Sequence, residues 1–205
     1  MTPRVKVCGL TTLEDAQRAV ELGAWALGMI FWPGTPRRVT VAEAQRIGSA
    51  LRRRAEIAGV FVNAPLDEIA ALAEAVPLSL VQLHGDEGPA FCEAVARRTG
   101  ARVAKAVRVR TQADVRTLKA FHTDFAMLDG AGGPFPWELA VHAPRDVPLI
   151  VAGGLTPGNV REAIAATEPF AVDTASGTEG RPGIKDPLKL EAFFRAVGQA
   201  PVAAR

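Results

Sequence analysis

Short β-branched runs recur eight times along this chain, each followed by a segment of helical pattern. That repetition limits the fold more than any other feature. The runs are Arg4–Cys8, Trp25–Phe31, Ile57–Val62, Ser79–Leu83, Val103–Val107, Asp124–Leu128, Pro148–Ala152 and Phe170–Thr174. Their starts lie 21, 32, 22, 24, 21, 24 and 22 residues apart. Strands that alternate with helices at this spacing are joined by crossovers and pair in parallel. Eight such units close a (β/α)8 TIM barrel. A doubly wound open sheet is the competing architecture. It usually has fewer strands and a Gly-rich first turn, which Cys8-Gly9-Leu10-Thr11 does not supply. The chain has 205 residues, short for a fold that takes about 250, so it has little room for more than the barrel. The expectation is one α/β domain over 1–205, with 199–205 as a frayed tail.

Helix boundaries are readable from caps and breakers. Thr12 is placed to cap 13–22, which Gly23 ends, and Thr40 to cap 41–52. Asp15 and Glu43 stand three residues on, in capping-box position. Pro65, Pro89 and Pro187 open later helices, and Pro157 falls inside the start of the seventh. The fifth helix spans 112–120. The sixth, 137–142, is barely two turns. The second unit is the long one. Its surplus, Trp32-Pro33-Gly34-Thr35-Pro36-Arg37-Arg38-Val39, reads as a stiff loop on the face where barrel active sites form.

The ends of the strands are unusually polar. Period-2 alternation puts Val5 and Val7 on one face of the first strand and Lys6 and Cys8 on the other. The third strand ends at Asn63, and the fourth places Gln82 and His84 on one face. The fifth carries Lys105, the sixth ends at Asp129 and the eighth at Asp173. Burying such groups without purpose costs free energy at each. After strands seven and eight come Gly153-Gly154 and Ser176-Gly177, where backbone N–H groups are free of obstruction. Barrels of this kind commonly hold phosphate there.

Composition removes several function classes. Formal net charge is +2, and Arg52-Arg53-Arg54 ends a helix, where positive charge suits the dipole. No nucleic-acid partner is expected. No apolar run nears the roughly 20 residues of a membrane span. Two cysteines and three histidines show neither a disulfide framework nor metal-ligand spacing. A reducing, cytoplasmic setting follows as the default. Monomer and homodimer both stay open.

Taken together, these segments resemble the phosphoribosylanthranilate isomerases of tryptophan biosynthesis. The matching stretches are Lys6-Val7-Cys8-Gly9-Leu10-Thr11, Gly28-Met29-Ile30-Phe31, Thr35-Pro36-Arg37, Gly59-Val60-Phe61-Val62-Asn63, Val81-Gln82-Leu83-His84-Gly85, Leu128-Asp129, Ala152-Gly153-Gly154-Leu155 and Asp173-Thr174-Ala175-Ser176-Gly177-Thr178-Glu179, continued by Pro182-Gly183-Ile184-Lys185-Asp186. The resemblance implies an Amadori rearrangement of a phosphosugar–anthranilate substrate, with no metal or cofactor. It implies Cys8 as the base at sugar carbon 2 and Asp129 as the acid that opens the furanose ring. Arg37 would bind the anthranilate carboxylate, with His84 and Asp173 also at the substrate. Gly153, Gly154, Ser176 and Gly177 would bind the phosphate, and Gln82 would be a support. The base must be a thiolate, and Lys6 is the expected source of positive charge. The acid must hold a proton, with Asp173 a candidate neighbouring charge. Two departures stand out. The loop after strand six is cut short to Gly130–Trp137, with Pro136 in place of the usual aspartate before the short helix, and Thr174-Ala175 replaces Val-Ser. Other phosphosugar barrels and a non-catalytic phosphate-binding barrel are the alternatives. The former would place an aspartate at Cys8 or carry a His/Asp metal set, and the latter would not need Cys8, Asp129 and Arg37 together.

Overall fold

A computed structural model describes residues 2–130 and 132–199. The tail expected to fray lies, from residue 200 on, outside them. The strands are β1 Arg4–Cys8, β2 Ala26–Ile30, β3 Glu56–Phe61, β4 Leu80–Leu83, β5 Arg102–Val109, β6 Phe125–Gly130, β7 Leu149–Val151 and β8 Ala171–Thr174. They close into a barrel in sequence order. The seam is the parallel pair β1–β8, with Lys6 opposite Asp173. The open-sheet alternative is thereby removed.

The alternation seen in the sequence sorts side chains to the two sides of the wall. Val5, Val7, Leu27, Phe61, Val81 and Val103 face outward into a layer shared with the helices. Ala58, Leu80, Ala104, Phe125, Met127 and Ile150 fill the interior. Each large apolar side chain so buried contributes about 1.5–3 kcal/mol. At the amino-terminal ends of the strands the interior is plugged by Trp25, Phe125 and Phe170, whose ring centroids lie 5.2–5.6 Å apart. The Arg4 guanidinium stands 5.0 Å from the Phe170 ring. The polar mouth is at the opposite end.

The helices are α1 Leu13–Glu21, α2 Val41–Leu51, α3 Leu66–Ala75, α4 Pro89–Thr99, α5 Gln112–Thr117, α6 Val160–Thr167 and α7 Pro187–Gly198. Thr12 and Thr40 accept the expected N–H groups of Asp15 and Glu43. The reciprocal half of each box is absent, because both carboxylates serve other segments. Asp15 accepts from the Lys185 N–H, and Glu43 reaches across to the Leu13 N–H, an unpaired donor in the first turn of α1. A full capping box forms instead at Thr111 and Asp114. The fifth helix tightens to a 3-10 turn at Leu118–Ala120. Residues 137–142 are 3-10 throughout. Pro157 lies in the turn before α6. A hairpin that the sequence did not suggest, β9 Glu179–Arg181 and β10 Ile184–Lys185, follows β8. It turns at Gly183, whose φ of 81° favours glycine.

Candidate active site

The mouth of the barrel holds a cavity of about 330 Å³ lined by Cys8, Arg37, Gln82, His84, Asp129, Gly153, Gly154, Asp173 and Ser176. Most of the residues singled out in the sequence therefore share one chamber. Lys6 lies beneath it, fully buried. Gly177 is not on its wall.

On the β1 side, Lys6 Nζ is 3.1 Å from Asp173 Oδ1, with both side chains almost fully buried. The Cys8 sulfur and Lys6 Nζ both lie against the bare backbone of Gly28; a Cβ there would stand 2.8 Å from the sulfur and 3.0 Å from the nitrogen. Burial pushes the Cys8 thiol up, and the ammonium groups of Lys6 and Lys185 pull against it. The resting group is thus a thiol, poised beside cations that favour its ionised form. Burial also works to lower Lys6, but the Asp173 carboxylate at its side opposes it and keeps the ammonium protonated. Burial raises Asp173 against the pull of Lys6, and the Asp129 carboxylate adds to the rise.

On the opposite wall, Asp129 Oδ2 is 3.1 Å from His84 Nε2. The other ring nitrogen, Nδ1, is 3.1 Å from the Gln82 amide. Behind His84 the loop is clamped. Glu87 accepts from the Asn63 and Gly85 N–H groups and from Lys105 Nζ, which also donates to the Gly85 carbonyl. Asn63 adopts φ 50°, a conformation asparagine tolerates better than most residues.

Lys105 corrects the expectation drawn from strand ends. It shares a face with Val103, which packs in the helix-side core, and not with the interior Ala104 and Ala106. It points away from the chamber. The fifth strand contributes Arg108 instead. Alternation from Ala104 and Ala106 carries this signal, since Arg108 falls on their face. Asn63 likewise stays outside this cavity and lines an adjoining pocket with Asp86, Arg108 and Trp32.

Arg37 reaches back from the long loop to Glu179 of β9. Its Nε lies 2.9 and 3.0 Å from the two carboxylate oxygens and its Nη2 2.8 Å from Oε2. This pairing, with the charge of Glu179 behind it, holds the guanidinium up. Glu179 takes one edge of the fork and leaves the end-on edge for another planar anion. Lys185, on β10, is buried beneath: its Nζ donates to the Cys8 and Ala175 carbonyls at 2.8 Å each and lies 3.6 Å from Glu179. Burial lowers this lysine, with Glu179 opposing. Glu179 and Lys185 are site residues that sequence reasoning passed over. Their only trace was their place in the last stretch of the resemblance.

Gly153 and Gly154 have φ 91° and 61°. The shortened loop after β6 folds against them. A Cβ on Gly154 would stand 3.0 Å from the Gly133 Cα and 2.9 Å from Pro134. Gly177 backs onto the Leu155 carbonyl, with no room for a side chain. Close backbone approach thus forces glycine at these turns.

A family model described as N-(5'phosphoribosyl)anthranilate (PRA) isomerase matches residues 5–196. The N-(5'-phosphoribosyl)anthranilate isomerase of Geobacter metallireducens is 43% identical over 200 residues, covering 94% of this chain and 97% of its own. That of Pseudomonas putida is 43% identical over 207 residues, covering 96% and 98%. Among solved structures, the Thermus thermophilus phosphoribosyl anthranilate isomerase superposes with a TM-score of 0.88 at 38% identity, covering 95% of this chain and 98% of that one. A phosphoribosyl anthranilate isomerase in complex with reduced 1-(o-carboxyphenylamino)-1-deoxyribulose 5-phosphate gives 0.85 at 38%, covering 96% and 98%. Matched along nearly its whole length, in sequence and in barrel geometry, this chain belongs to the N-(5'-phosphoribosyl)anthranilate isomerase family.

Proposed function

We propose that this chain converts N-(5-phospho-β-D-ribosyl)anthranilate to 1-(2-carboxyphenylamino)-1-deoxy-D-ribulose 5-phosphate, the isomerase step of tryptophan biosynthesis. One barrel domain carries the reaction, in the cytoplasm. The observation that supports it most is the placement of Cys8 and Asp129 on opposite walls of one chamber, with an arginine fork and a glycine pair at its rim.

Asp129 is the acid. It gives its proton to the furanose ring oxygen; the bond from that oxygen to carbon 1 breaks, and the nitrogen lone pair forms the Schiff base. Cys8, as thiolate, takes the proton from carbon 2; the electron pair moves toward nitrogen and an enolamine forms. Tautomerisation gives the ketone. Lys6 and Lys185 lower the cost of the thiolate. Arg37, held on one edge by Glu179, offers its free edge to the anthranilate carboxylate. Gly153, Gly154 and Ser176 receive the phosphate, with Gly177 setting the turn behind them, His84 and Asp173 border the sugar, and Gln82 supports His84.

The test is turnover of enzymatically made substrate, read as loss of its fluorescence. Asp129→Asn should lower kcat by about 10²–10⁴-fold while the protein stays folded. Failure of the unmodified gene to rescue a tryptophan auxotroph lacking this step would overturn the assignment.

A further inference from the structure

Gln82 is 2% exposed, and its amide meets the His84 ring at 3.1 Å. Its Oε1 is buried without a partner among the described residues. Which end of a side-chain amide faces a ring nitrogen has to be decided by hydrogen-bond chemistry. Turning this amide would bring its oxygen to Nδ1 and put an NH2 group, with two donors to satisfy, in the buried place where Oε1 now lies. An unpaired acceptor is tolerated better than unpaired donors. The NH2 end therefore faces Nδ1, and Nδ1 is an acceptor. The proton of the neutral ring then sits on Nε2, 3.1 Å from Asp129 Oδ2, and is donated to it.

This matters to the acid. After Asp129 gives up its proton it is a carboxylate, and the Nε2–H stabilises it. A ring with Nδ1 open would take a proton there instead. The resulting imidazolium would hold Asp129 permanently ionised. We propose that Gln82 is a positioning residue that locks His84 in its Nε2–H tautomer and so keeps the mobile proton on Asp129. The proposal rests on the reading of Asp129 as the acid and deepens it. The charged and titratable groups around the pair are Asp173 on β8, Lys6 and Cys8 on β1, Arg108 on β5, Asp114 on α5, Lys185 on β10, Arg37 in the long loop and Asp86 after β4. Among the described residues, Gln82 alone is hydrogen-bonded to Nδ1.

The experiment reads the ring nitrogens of His84 by 15N chemical shift in the full chain, labelled at histidine. His84→Asn assigns the signals against those of His122 and His142. At about pH 7.5, where an ordinary histidine is mostly neutral, the unmodified protein should show bare Nδ1 and protonated Nε2. Gln82→Glu places an acceptor on Nδ1. The ring should become imidazolium at the same pH, and kcat should fall about 100-fold with KM nearly unchanged. Gln82→Met should mix the tautomers and lower kcat about tenfold. An Nδ1–H ring or an imidazolium in the unmodified protein would overturn the proposal, whether or not any variant folds. So would a Gln82→Glu protein with unaltered ring signals and turnover. The shifts are read without substrate, so absent turnover in the unmodified protein removes the proposed function, while a wrong tautomer removes only the role of Gln82.

Discussion

Two clusters of one cysteine, one lysine and one carboxylate are buried in this barrel, on opposite sides of its wall. Inside are Cys8, Lys6 and Asp173, with the ion pair at 3.1 Å. Outside are Cys92, Lys105 and Glu87, with the pair at 2.7 Å. Burial raises both thiols, Cys92 to about 11. By residue type and depth the clusters are nearly the same. They differ in what surrounds them. The inner one opens on the chamber, and a second ammonium, Lys185, adds to the pull of Lys6 on the thiol. The outer one is closed over by α4, and its carboxylate is occupied by the N–H groups of Asn63 and Gly85. The same three side chains thus prepare a base in one place and pin loops in the other. What separates the roles is access and uncompensated charge.

The largest effect that would break this comparison comes from Lys6→Met. It leaves Asp173 buried without a partner, a loss of about 3–5 kcal/mol, and removes the nearest cation from Cys8. Denaturant melts should show the first. Iodoacetamide kinetics should show the thiolate of Cys8 appearing only at higher pH. Lys105→Met should cost a similar 3–5 kcal/mol or so but leave Cys8 alkylation where it was. If both variants slow alkylation alike, the two clusters are not distinct. Glu179→Gln comes next. The amide holds the Arg37 fork less firmly, so KM should rise about tenfold with kcat nearly kept. An unchanged KM would detach Arg37 from the substrate. The smallest effect is an alkaline one. The Cys92 thiol is raised from 9.0 to about 11 in the fold, so the unfolded chain ionises first and stability falls as pH climbs through that window. Cys92→Ala should flatten this part of the stability curve, measured by denaturant midpoints across pH 9 to 11.

The sequence already carried the barrel, since eight evenly spaced runs permit little else. It also carried one cluster, because Lys6 and Cys8 alternate with two valines. It misplaced Lys105 for want of the same care. Val103 and Val107 mark that face as helix-covered, and the alanines between them point to Arg108. Glu179 and Lys185 were beyond reach for another reason. Both act through a hairpin whose strands are two and three residues long, too short to show a period. Their partners, Arg37 and the Cys8 carbonyl, lie 142 and 177 residues away in the chain. No local pattern records such contacts. The departure after strand six also makes sense only in space. The short loop folds onto Gly153 and Gly154, which give it room.

The central claim is that the inner cysteine alone serves the reaction. It is tested most directly by turnover of Cys8→Ala beside Cys92→Ala, both shown folded by circular dichroism. The account predicts that Cys8→Ala loses about 10²–10⁴-fold in kcat, while Cys92→Ala turns over at the rate of the unmodified protein. Full activity in Cys8→Ala would contradict it.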